Sequence, residues 1–273
     1  MNDNHKEDVM RTNKMVIPGV CLLTLLGLEM VCPAASFATA STHIWAPSTD
    51  VQSFGVVHLT SDAYIPVEKD SAGHRPNVVT NMGLTTGILP FEKLNAEAGF
   101  DHKTGYSDLD DTPMYFNAKL GVPENAFFEF SPAIAGGVYD MGTESDKTDF
   151  NVAYVKAAKT VAIDKFSLGR FSAGYFNGNS KLLLDQNGDE DNDGLLAAWE
   201  RSLPEISDKL WVCAEYQGSN SGYGTWNYGF SWKFSDNASV IFALDTYNNH
   251  NLADTFTVQV DIDFDAFSKL FKK

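Results

Sequence analysis

The chain has 273 residues, 44% of them hydrophobic, with 20 basic and 36 acidic side chains and a formal charge of −16. That apolar content excludes a disordered chain, and the lack of any nearly uninterrupted run of ~20 apolar residues excludes a helical membrane protein. A surface this acidic repels phosphate backbones, so no nucleic-acid partner is expected.

Residues 1–40 read as an export signal. Arg11 and Lys14 form a basic start, an apolar stretch covers 15–31, and small residues lead to Ala38-Thr39-Ala40, a pattern that signal peptidase accepts. Cleavage there leaves Ser41 first, with Met10 an alternative start of translation. It also removes Cys21 and Cys32, so Cys213 stands alone and no intramolecular disulfide forms. The remainder carries 17 basic and 32 acidic residues, a charge of −15. Residues 41–54 are expected as a periplasmic segment ahead of the first strand.

A period of two then recurs, the signature of strands with two different faces. In chain order, Val57, Leu59, Ala63 and Ile65 oppose His58, Thr60, Asp62 and Tyr64; Leu94, Ala96, Ala98 and Phe100 oppose Asn95, Glu97, Gly99 and Asp101. Met114, Phe116, Ala118, Leu120 and Val122 oppose Tyr115, Asn117, Lys119 and Gly121. Leu210, Val212, Ala214 and Tyr216 oppose Trp211, Cys213, Glu215 and Gln217. Trp226, Tyr228, Phe230, Trp232 and Phe234 share one face, and Phe256, Val258, Val260, Ile262 and Phe264 share another, with Asp261 and Asp263 opposite the latter. Facing stays open over 150–161, where Lys156 and Lys159 point to opposite sides.

Such aromatic-heavy faces suit lipid better than a soluble core, because Trp and Tyr rings settle at membrane interfaces. About twelve segments are expected, starting near Gly55, Asn77, Lys93, Pro113, Phe127, Phe150, Gly169, Leu195, Lys209, Tyr223, Ala238 and Thr255. Compact turns around 89–92, 122–125, 163–165, 203–206 and 235–237 alternate with longer polar connections at 69–76, 103–112, 141–149, 178–194, 218–222 and 247–254. This alternation places every long loop at one end, as short periplasmic turns and long external loops do. The fold class is therefore all-β, a closed antiparallel up-and-down transmembrane barrel of about 12 strands over 41–273, with a charged tail at 265–273.

On the cleavable signal, the two-faced strands and a last strand ending in Phe264, the chain resembles Gram-negative outer-membrane β-barrels, porin-like proteins of unassigned function. The resemblance implies residence in the bacterial outer membrane beside lipid and lipopolysaccharide, delivery by the barrel-insertion machinery, and passage of small hydrophilic solutes. It supplies no catalytic residue.

Asp189, Asp191, Asp193, Gly194 and Glu200 match the spacing of an EF-hand loop, but barrel strands flank them where helices are required. Asp185, Asn187, Asp189, Asp191 and Asp193 in an external loop offer oxygen ligands for a divalent cation such as Ca2+, against the plain reading of a solvated acidic loop. No other cofactor is expected. The polar faces bring Asp62, Glu97, Asp101, Glu200, Glu215, Asp245, Asp261 and Asp263 into the lumen, against Lys103, Lys119, Arg170 and Lys233. That excess favours cations if the lumen is open, and an ion-paired plug if it is narrow. His58 and Asp62 lie four residues apart on one strand, and Ser61 faces the other way, so no nucleophile and base meet locally. The leading expectation is a diffusion channel with a mild cation preference. A structural or adhesive surface barrel comes second and an outer-membrane enzyme third.

Overall fold

The computed structural model describes residues 41–69, 72–164 and 166–265, so the expected signal and residues 266–273 of the tail lie outside the described residues. Twelve strands form one closed antiparallel ladder: β1 (Val56–Pro66), β2 (Val79–Gly87), β3 (Asn95–Thr104), β4 (Met114–Val122), β5 (Ala133–Gly142), β6 (Asp149–Ile163), β7 (Phe166–Asn177), β8 (Asp193–Ser202), β9 (Leu210–Gln217), β10 (Thr225–Ser235), β11 (Ala238–Tyr247) and β12 (Thr255–Asp265). Each strand pairs with its sequence neighbours, and β1 closes on β12 over eleven residue pairs, from Val56↔Asp265 to Pro66↔Thr255. The architecture is the expected closed up-and-down barrel, and no helix among the described residues is long and apolar enough to cross a membrane.

Alternation decides the facing. Along β10, Asn227 is fully buried, while its neighbours Trp226 and Tyr228 and the mid-strand Phe230 (44% exposed) lie on the outer surface. The inner set Thr255, Thr257, Gln259 and Asp261 is buried along β12, while Phe256, Val260 and Phe264 face out. Polar residues inside and apolar residues outside invert a soluble protein and suit a barrel in hydrocarbon. Aromatic side chains gather toward both rims. Tyr216 and Trp226 lie with ring centroids 4.4 Å apart near the long-loop end. Phe91, Phe166 and Phe234 are exposed toward the other end.

The connections at one end span 12, 9, 6, 15, 7 and 7 residues, and those at the other 7, 10, 2, 7 and 2. The asymmetry holds, with one correction. The segment expected to begin a strand at Phe127 is part of the β4–β5 connection, and the strand begins at Ala133. Phe127, Phe128, Glu129 and Phe130 do not alternate, all three rings are exposed, and Pro132 lacks the N–H that a ladder needs. Within β5 the register slips between Tyr139 and Met141, and the extra residue Asp140 adopts a φ of +53°. This bulge turns Asp140 inward, where Lys103 Nζ (2.5 Å) and the Tyr223 hydroxyl (2.5 Å) donate to it.

Phe230 lies at the centre of β10 on the outer face. Phe230→Arg should destabilise the barrel by about 2–4 kcal/mol in urea unfolding from lipid vesicles, the cost of a cation near the bilayer midplane. An unchanged unfolding midpoint would mean that this face does not meet lipid.

Candidate functional site: the barrel lumen

The inner faces carry the site. Asp62, Glu97, Lys119, Glu215, Asp245 and Asp261 are buried inside the barrel. Asp101, Arg170 and Glu200 are partly exposed on the same inner surface. Asp263 sits toward the short-turn end, 2.8 Å from His58 Nδ1, and Lys233 lies at that rim, 3.5 Å from Asp236. Lys156, whose facing the sequence left open, points inward and is 1% exposed. His58 is held by Asp261 (3.4 Å) and Asp263 (2.8 Å), while Ser61 faces outward.

The 185–193 loop, weighed as a cation site against a plain solvated loop, spends much of its bonding on local partners. Asp185 Oδ1 accepts the backbone N–H groups of Asn187 and Asp189 at 2.8 and 3.0 Å, closing a turn on itself. Those bonds, led by the one from Asp189, hold the Asp185 carboxyl below its ordinary range. Asp191 accepts from the backbone and side chain of Asn220, both at 2.8 Å, and Asp193 from the Tyr175 hydroxyl. Asp185, Asn187, Asp189, Asp191 and Asp193 therefore do not converge, and no group of three or more candidate ligands gathers among the described residues. Glu200 points into the lumen from β8, where Trp211 Nε1 donates to it at 3.0 Å. The same loop sends Leu183 inward, 1% exposed, against Val152, Tyr154, Phe176 and Leu196.

The largest departure from the sequence reading is the segment 41–54, expected outside the barrel in the periplasm. It enters from the short-turn end and climbs the lumen. It turns on itself through Thr42↔Pro47 pairing, with His43 N–H donating to the Ala46 carbonyl at 3.0 Å. The backbone N–H groups of Ile44, Trp45 and Ala46 all donate to Glu215 Oε1, at 3.3, 2.5 and 3.2 Å. Consecutive amides converging on one carboxylate form an anion-binding nest, here closed around a side chain of the barrel itself. Gln259 Nε2 donates to the Ile44 carbonyl (2.7 Å), Lys156 Nζ to that of Pro47 (3.0 Å), and Lys119 Nζ to those of Ser41 and Asp50 (2.7 and 2.6 Å). Lower down, Arg170 pairs with Asp50 at 2.8 Å, and Glu97 Oε2 accepts the Gln52 N–H at 2.5 Å.

Two apolar pockets complete the hold. Ile44 packs with Trp211, Cys213, Ile241 and Ala243, and Ala46 with Val152, Phe176 and Leu183. Trp45 meets Tyr64 and Tyr247 edge-on, with centroids 5.3 and 5.8 Å apart. Where the segment passes β2, Gly87 leaves no room for a side chain: a Cβ there would fall 2.2 Å from the carbonyl oxygens of Gln52 and Ser53. None of this is periodic in sequence, and the hydrogen-bond partners on the wall lie some 45 to 215 residues away. The acidic and basic residues on the inner faces were the available signal.

The segment leaves open the lumen beside β1–β5. A cavity of about 150 Å³ remains there, lined by Asp62, Asn81, Asp101, Asn117, Lys103 and Lys119, with Glu97, Asp140 and several tyrosines. Asn81 Nδ2 bridges Asp62 and Asp101 at 3.0 Å each, and Asn117 donates to Asp101 at 2.8 Å. A volume of this kind holds about ten waters.

A closed, two-faced, up-and-down barrel with an apolar exterior and a charged interior defines the class of outer-membrane β-barrels. Within that class, the chain is similar in structure to the KdgM porin, with a TM-score of 0.50 at 8% identity over 76% of this chain and 99% of that one. It is also similar to the COG4313 outer membrane channel from Pseudomonas putida F1 (TM-score 0.44, 10% identity, 78% and 96% covered) and to the NanC porin (0.45, 10%, 76% and 98%). No protein-family model and no curated relative matches the sequence.

His43 sits 3.3 Å from Glu200, 3.5 Å from Glu215 and 3.3 Å from Lys156 Nζ. Burial and the Lys156 ammonium oppose its protonation, but the charge and hydrogen bond of Glu200, with the hydrogen bond of Glu215, outweigh them and raise its pKa above the ordinary histidine value. A group raised in this way stabilises the seated segment fully below the ordinary histidine range, and that contribution is lost as pH rises through the raised value. A nitroxide at Ser53→Cys, in a Cys213→Ala background, should therefore become more mobile as pH rises above about 6.5. His43→Gln should flatten that dependence.

Proposed function

We propose that the protein is a porin-like channel of the bacterial outer membrane for passive diffusion of small hydrophilic solutes, with a mild preference for cations. The observation that carries this reading is the cavity of about 150 Å³ beside residues 41–47, inside a closed ladder whose exterior is apolar. Support for the cation preference comes from the lining, in which Asp62, Glu97, Asp101 and Asp140 outnumber Lys103 and Lys119. Fixed carboxylates along a narrow aqueous path concentrate counter-cations and disfavour anions. On this reading the outer surface meets lipid and lipopolysaccharide, and the insertion machinery delivers the barrel. A second reading, a structural or adhesive surface barrel, is favoured by the occupied half of the lumen, where the segment and Leu183 fill the space over β6–β9.

Planar-bilayer recording separates the two. The full chain should show small steps whose reversal potential in a salt gradient has the sign of cation selectivity. Asp62→Asn combined with Asp101→Asn should reduce the permeability ratio about twofold. An anion-selective current would sink the cation preference. Silence in both the full chain and a chain lacking 41–52 would favour the structural barrel.

A further inference from the structure

The lumen wall facing residues 41–52 is built to hold a peptide through its main chain. Glu215, Lys156 and Gln259 are 2%, 1% and 3% exposed, and Glu215 Oε1, Lys156 Nζ and Gln259 Nε2 each bond a backbone N–H or C=O of the segment, with Asn227 sharing Glu215 Oε1 and the His43 ring 3.3 Å from Lys156 Nζ. Lys119 and Glu97, paired at 3.2 Å, do the same lower down, at Ser41, Asp50 and Gln52. Buried charges are costly without partners, so these groups need an occupant that presents amides and carbonyls in this arrangement. A turn of peptide does so, and in residues 41–52 the side chains of Ile44, Ala46 and Asp50 add to the hold. The occupant is joined to β1 through Ser53 and Phe54, both exposed, and Gly55, which has a φ of +77° and donates its N–H to the Gly87 carbonyl at 3.1 Å. One flank of the turn (Ser41, Thr42, Ile44, Trp45 and Pro47) already borders the cavity, so water has a path to replace its contacts.

We propose that the inner wall of β6, β9 and β12 is a binding site for a peptide turn, read through its main chain, and that residues 41–52 are its tethered, displaceable occupant. The site goes beyond the channel reading and stands whether or not current flows. A free peptide of the same backbone geometry takes the same seats when the tethered segment leaves.

The test uses the full chain with a specific protease site inserted between Ser53 and Phe54, folded intact in detergent micelles and then cut. The released fragment should wash out, as read by mass spectrometry. A synthetic peptide of residues 41–52 should rebind saturably, followed by its fluorescence anisotropy. Trp45→Phe in the peptide, which keeps every amide, should change its affinity less than tenfold, whereas N-methylation at Trp45 and Ala46 should weaken it at least tenfold. Retention of the cut fragment through exhaustive washing, or equal binding of the N-methylated peptide, would overturn the proposal. If the protease-site chain fails to fold, Glu215→Gln in the otherwise unaltered chain decides. Amide exchange at 44–46 should accelerate at least tenfold, and unchanged exchange counts against main-chain reading. Saturable binding without conductance in any form would leave the site standing and remove the channel reading alone.

Discussion

Hydrocarbon offers no partner for a peptide group, so each backbone N–H and C=O that crosses a membrane must be paired within the protein. In this chain the requirement is met by a ladder that returns to its own first strand, β12 against β1. Once the ladder is closed, alternate side chains have only two destinations. The apolar set faces lipid, and the carboxylates, amides and lysines are confined together in a narrow interior. Everything that distinguishes this protein from a generic barrel follows from how that interior satisfies itself.

The barrel was legible in the sequence because its signal is periodic. Phe256 to Phe264 and Trp226 to Phe234 announce their facing residue by residue, and the alternation of long and short connections tells which end is which. The exceptions have local causes. Phe127, Phe128 and Phe130 look like the start of a strand by composition, but they do not alternate, and Pro132 stops the ladder short of them. Lys156 lies in a strand with lysines on both faces, so only the pairing partners of β6 could decide its direction.

The occupant of the lumen could not be read in the same way. Residues 41–54 have no period, and the hydrogen-bond partners of the Ile44 and Trp45 backbone lie about 170 residues away or more. Glu215 could be placed on an inner face by counting alternate residues, but no counting shows that it binds the three amides of Ile44, Trp45 and Ala46. The oxygen-rich run at 185–193 is legible in the sequence as a pattern of ligand types. Its spacing is that of a cation loop, yet the carboxylates of Asp185, Asp191 and Asp193 each find a nearby amide or hydroxyl, as acidic side chains in turns commonly do.

The pairing of Gln52 with Asp263, 211 residues apart in sequence, bears on how the molecule is made. Contacts of such long range carry the largest loop-closure cost and come late in folding. The strand that leads out of the N-terminal segment is the same strand that seals the ring. Pairing the first strand with the last brings residues 41–54, which lead directly into β1, to the seam where the ring closes.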